Sequence, residues 1–413
     1  MDARTPRSLT AAVAGVLAVL LVLGAADATS GAQRAQNQQD DPGAALTAVN
    51  TLLDERERAF AAGDANAWMA TVDPHAPQEF KDAQARHFNG LRSLPVERFS
   101  LVARLDDTGD LAPEPDRFLP ETRMSYRFTG FDDRDAVDTL WLTFVLRDGR
   151  WFVGADADVG DLGLDTARGL WDVGDVRALR TPHFLILHHP SRAARAEALA
   201  AIAEEALETL RKGWDQRWSE RIPIVLPRNV EELETLLQST IDLDKFVAFV
   251  SYGAVRDEGW TSTAPRMFIQ DDNLGSYGRG FQVETLVHEL VHAAGAPLAG
   301  PFLAAWVHEG VADWVATGRS TGERKPSGSD GVLPRDYEFS TGSQADIIRA
   351  YRESRSAVSF LASRHGMGAP TSFFVAGGEP KVAPGSVDHR LDAALRAAAK
   401  VSVTDLQKGW AAR

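Results

Sequence analysis

Apolar residues recur along this chain with two periods, and the changes of period divide it. Leu46, Val49, Leu52, Leu53 and Phe60 follow three- and four-residue spacing, which predicts a helix running through Leu53-Asp54-Glu55-Arg56-Glu57-Arg58. A break at Gly63-Asp64 precedes a second short helix over 65–72. Strand-like runs then cover 99–105, 121–128, 137–147 and 151–155, with Asp148-Gly149 as a hairpin turn between the last two. Helices followed by antiparallel strands predict an α+β unit.

Residues 161–180, with several glycines and aspartates around Trp171, read as a connection. Beyond it the pattern predicts a strand at 184–189, a helix over 193–218, a strand at 222–226 and a helix over 230–238. Strands near 246–255 and 266–270 come next. The most apolar helix of the chain then spans Val283, Leu286, Val287, Leu290 and Val291, and a second helical stretch runs from Trp306 to Trp314. The Gly/Ser/Pro-rich segment 319–343 reads as a disordered loop or a lid over a cleft, and amphipathic helices at 347–364 and 391–399 complete the chain.

The chemistry lies in the apolar helix, as His288-Glu289-Leu290-Val291-His292. Two histidines four apart sit about 40° apart on one helical face, so both imidazoles reach one ion. Glu289 lies beside that ion, where a carboxylate can take the proton of a water. Glu309 on the next helix is a natural third ligand for Zn2+ in a His₂Glu site with one open position. Asp313, four residues on, is placed to accept a hydrogen bond from a ligand imidazole. Leu298 stands where the extended HExxHxxGxxH motif needs a third histidine, which excludes that arrangement although Gly295 fits it. His308 points about 100° away from Glu309 and reads as a surface or outer-layer residue. Adjacent His188 and His189 point to opposite faces of a strand and read as structural; isolated His75 and His87 read as solvent-facing.

The pairing of His288-Glu289-x-x-His292 with Trp306-x-x-Glu309-Gly310-x-Ala312-Asp313 resembles the gluzincins, the thermolysin-like clan, and within them the bacterial peptidase MA-like domains. That resemblance implies a zincin-like domain of mixed sheet and helices over 181–413. It also implies zinc on His288, His292 and Glu309, Glu289 as general base and Asp313 behind a ligand. In such folds an edge strand pairs with an extended peptide substrate, for which Arg266-Met267-Phe268-Ile269-Gln270 is the candidate; its alternative role is simply that of another strand of the sheet. Tyr337, Tyr351 and His365 are candidate donors to a developing oxyanion. Residues 44–160, through "LLDERERAFAAGD", "FTGFDD" and "LRDGRWFVGAD", resemble the nuclear transport factor-like cone, a curved antiparallel sheet wrapped around helices.

Among 413 residues the net charge is −14 with no basic run, which argues against nucleic acid as partner; the substrate that the resemblance implies is a peptide or protein. Arg4 and Arg7, the uncharged run 9–26 and the small-x-small Ala26-Asp27-Ala28 predict an export segment over 1–28, either cleaved or kept as a membrane anchor. A polar linker over 29–43 follows. The expected location is therefore extracytoplasmic, and with no cysteine neither a disulfide nor a thiolate ligand contributes. The expectation is an exported zinc metallopeptidase; its rival is a non-catalytic binding module stabilised by zinc.

Overall fold

The structure is a computed structural model that describes residues 42–105, 116–238, 243–255, 261–299, 303–378 and 387–413. The expected export segment and most of the expected linker lie outside these residues. Among the described residues no helix is long and apolar enough to cross a membrane.

The chain is α+β. Helices α1 (Pro42–Ala62), α2 (Ala65–Met69) and α3 (Gln78–Arg92) precede strands β1 (Val96–Arg104), β2 (Arg117–Phe118), β3 (Glu121–Phe128), β4 (Ala136–Trp141), β5 (Thr143–Arg147) and β6 (Arg150–Ala155). The strands form two antiparallel sheets of order β1-β3-β4 and β2-β5-β6. Asp148 and Gly149 both have positive φ, +48° and +78°, as a type I′ hairpin requires. The single strand expected over 137–147 is two. The chain passes from β4 to β5, and so from one sheet to the other, at Leu142, which is itself buried, so no polar break marks the change. Helix α3 was not expected from its polar sequence; it buries only Gln84, Phe88 and Leu91.

The expected connection contributes structure to both sides. Its helix α4 (Leu170–Val173) sends Trp171 edge-on to Tyr126 and Phe128, at ring-centroid distances of 5.4 and 6.3 Å. Its strand β7 (Arg177–Arg180) pairs with β8 (Phe184–His188). Then follow α5 (Ala193–Gly213), β9 (Ile222–Leu226), α6 (Val230–Leu237), β10 (Ala248–Ser251), the short hairpin β11 (Ala254–Val255) and β12 (Thr261–Ser262), and β13 (Arg266–Ile269). These build a mixed five-stranded sheet of order β10-β13-β9-β8-β7, parallel in its three inner strands and antiparallel at both edges. Strand β13 is therefore an inner strand and has no free edge to offer a peptide; the edge beside it is β10.

Both faces of this sheet are buried, and strand alternation assigns them to different cores. Phe184, Ile186, Ile222, Ile224, Met267 and Ile269 face α5 and the helices downstream. Leu185, Leu187 and Val225 face the first unit and join its core with Phe118, Phe128 and Phe144. A buried ion pair fastens the junction. Arg266 of β13 donates through Nη1 and Nη2 to both carboxylate oxygens of Asp132, at 2.7 and 2.8 Å.

The helical remainder is α7 (Asp271–Leu274), α8 (Arg279–Gly295), α9 (Ala305–Ala316), α10 (Gln344–His365), α11 (Ala369–Gly378), α12 (Val387–Ala399) and α13 (Val403–Ala411). The segment 319–343 runs along α10 rather than free of it. Ser356 and Ser359 donate to the backbone carbonyls of Arg324 and Ser320, and Trp314 Nε1 also donates to Ser320.

Candidate metal centre

Helix α8 is the centre of the second unit, enclosed by α5, α9 and the edge strand β10. Every residue from Thr285 to Gly295 is buried. Helix α9 crosses close to α10 because Gly310 carries no side chain: a Cβ there would stand 2.8 Å from the Ser354 carbonyl oxygen. The glycine beside Glu309 is thus a packing device that seats α9 against α10. Gly295 has a similar reason, since a Cβ there would meet the Phe374 ring at 2.6 Å.

Three side chains converge. His288 Nε2 lies 3.2 Å from Glu309 Oε2 and 3.1 Å from His292 Nε2, and His292 Nε2 lies 3.5 Å from Glu309 Oε2. Four ligands held tetrahedrally at zinc-to-nitrogen or zinc-to-oxygen distances of about 2.0–2.1 Å are separated by roughly 3.3–3.4 Å. The observed triangle has that size, so the donor set and its spacing fit a tetrahedral ion with one place left for another ligand. Asp313 Oδ1 lies 2.8 Å from His288 Nδ1, fixing the ring so that Nε2 faces the other two groups.

The electrostatics suit the same assignment. Burial works against a charged His288, but hydrogen bonds to Asp313 and Glu309 and their charges override it and hold its pKa at about 10. Burial pulls His292 the other way, to the neutral form. Glu309 stays ionised despite burial because His292 and His288 surround it. Asp313 and Glu309 thus raise the proton affinity of a ring whose Nε2 a metal would also claim. Glu289 is fully enclosed, neither of its oxygens has a hydrogen-bond partner, and burial pushes its pKa up to about 8. An unpartnered buried carboxylate beside such a triangle points to a partner from solution.

The other histidines and tyrosines divide clearly. His308 is not on the surface: its ring stacks on His292 at 5.8 Å and meets Phe374 edge-on at 5.1 Å. Burial, with His292 adding, pushes its pKa down to about 3, so it is a neutral wall of the site. His87 is likewise not solvent-facing but bonds Asp172 at 2.7 Å and stacks on Trp68, whereas His75 is exposed. His188 bonds the His189 carbonyl, and His189 spans the Asp175 carbonyl and Glu232. Tyr351 lies 6.2 Å from the His288 ring, while Tyr337 and His365 are exposed.

Two contributors had no signal in the sequence. Tyr252, just past the edge strand β10, is buried, and burial together with the Glu309 charge raises its pKa. Arg355 of α10 feels the charges of Asp313 and Glu284 and donates to Glu323 at 3.0 Å, so it balances the acidic groups behind His288. Neither belongs to a motif, and only the folding of distant segments onto α8 makes them neighbours.

No protein-family model matches the sequence, and no curated protein is found similar to it.

Proposed function

We propose that this chain is an exported zinc-dependent metallopeptidase of the gluzincin type, with a zincin-like second unit and a cone-like first unit. The observation that carries the reading is the triangle of His288, His292 and Glu309 with the unpartnered Glu289 carboxylate beside it. A zinc ion held by the three would supply Lewis acidity, lowering the pKa of water towards neutrality and polarising a scissile carbonyl. Asp313 holds the His288 tautomer and orientation. Glu289 takes the proton of the attacking water and delivers it to the leaving amine; burial has already raised its proton affinity towards the working pH.

A second reading, a closed metal site in a binding module, is favoured by one observation: Glu289 and His292 are 0 % exposed. Against it stands Glu289 itself, which a purely structural zinc site does not use. The deciding experiment is metal analysis of the purified full chain with peptidase assays, on denatured protein, with and without a chelator. The enzyme reading expects one zinc per chain and chelator-sensitive hydrolysis. It further expects a Glu289→Gln variant that keeps its zinc and loses about 10²–10⁴-fold in rate. Zinc without hydrolysis, or full hydrolysis by Glu289→Gln, overturns it.

A further inference from the structure

The first unit contains a buried cation that no carboxylate bonds among the described residues. Arg56, on the inner side of α1, is 3 % exposed. Its Nη1 donates to Thr71 Oγ1 and its Nη2 to Gln84 Oε1, both at 2.6 Å, and its guanidinium lies 3.7 Å over the Trp68 ring. All these neighbours are neutral, and Nε has no partner. Burial lowers its pKa to about 9, which still leaves it charged at neutral pH. Arg266, the other deeply buried arginine discussed above, has Asp132 gripping it with two oxygens. Among the described residues no carboxylate bonds Arg56.

Arg56 lines a recess of about 20 Å³, room for one water-sized group. The recess adjoins a cleft of about 440 Å³ that opens between α3 and α4, and Gln84, His87, Asp156, Arg168 and Asp172 line both. The two acidic groups shared by recess and cleft are engaged: Asp156 pairs with Arg168, and Asp172 with His87, each at 2.7 Å, while Glu79 and Arg86 line the outer cleft alone. The outer cleft adds apolar wall from Pro77, Phe80, Ala83 and Val173.

We infer that the first unit is a receptor for a small monocarboxylate, its apolar body in the outer cleft and one carboxylate oxygen entering the recess beside Arg56. Only two of the five guanidinium N–H groups are engaged, which leaves one on each terminal nitrogen and that on Nε as donors for such an oxygen. A phosphate or dicarboxylate is disfavoured by the size of the recess and by Asp156 and Asp172 at its entrance. This inference is independent of the metal centre.

The test is calorimetric titration of the full chain with hexanoate and benzoate, and with the neutral isostere benzamide. A chelator is present throughout, so that no carboxylate binds through a metal. At least one of the two carboxylates should bind once per chain, and benzamide at least about tenfold more weakly than benzoate if benzoate is the one that binds. Arg56→Met, and Ala83→Trp, which blocks the cleft while leaving Arg56 intact, should each weaken binding at least about tenfold. His292→Ala should leave it unchanged. If Arg56→Met does not fold, Ala83→Trp decides. No saturable binding at millimolar carboxylate, equal binding of benzoate and benzamide, wild-type binding by a folded Ala83→Trp, or loss of binding in His292→Ala would each overturn the inference.

Discussion

At the scale of single residues, a proton and a metal compete for His288. Burial opposes its protonation, but hydrogen bonds and charges of Asp313 and Glu309 outweigh burial and raise its pKa from the usual 6.5 to about 10, so the two compete for it between pH 7 and 9. Ligation needs the neutral imidazole, so zinc uptake should release about one proton from it, and affinity should rise about tenfold per pH unit across that range. Calorimetry of zinc binding in buffers of different ionisation enthalpy counts the released protons; none released would contradict the hydrogen bonding seen at Nε2. The residues of this centre were largely legible in the sequence because helical spacing is local. Two histidines four apart must share a face, and so must Glu309 and Asp313. His308 was misplaced for a related reason. Angular position on one helix says nothing of what packs against its far side, and there Phe374 and His292 enclose it.

At the scale of elements, Glu309 reaches the histidines from α9, which is itself seated against α10 at Gly310. Gly310→Ala would put a Cβ 2.8 Å from the backbone of Ser354, and backbone cannot swing aside as a side chain can. The variant should lose about 1–3 kcal/mol of stability, read by chemical denaturation, and bind zinc more weakly than wild type. An unchanged midpoint with unchanged zinc affinity would show that the contact relaxes freely. Elements with strong local periodicity, such as α1, β3, α5 and β9, were readable in advance. Those shaped by distant partners were not: α3 hides behind a polar sequence with Gln84 bonded to Arg56, and β4 and β5 divide at a buried leucine. Strand order was equally invisible, because nothing within Arg266–Ile269 tells an inner strand from an edge one.

At the scale of the whole molecule, Arg266 and Asp132 hold together parts of the chain 134 residues apart. Removing one partner of a buried pair leaves an uncompensated charge, so Asp132→Ala should cost about 3–5 kcal/mol, visible as a lower denaturation midpoint. Arg266→Met alone should be as harmful, whereas the double variant Asp132→Leu/Arg266→Met should recover much of the loss. A loss below about 1 kcal/mol for Asp132→Ala would place the pair among the weakly contributing ones.

The two-faced sheet has a practical corollary. A fragment beginning near residue 175, the natural choice for isolating the metal centre, would carry Leu185, Leu187 and Val225 as bare greasy surface where the amino-terminal half normally lies. Such a truncated protein should clump or need detergent during purification, while the intact chain stays dispersed, and light scattering of the two preparations side by side would reveal the difference. A fragment that remained monomeric would mean that the halves merely lean on one another and that scissors may be applied between them.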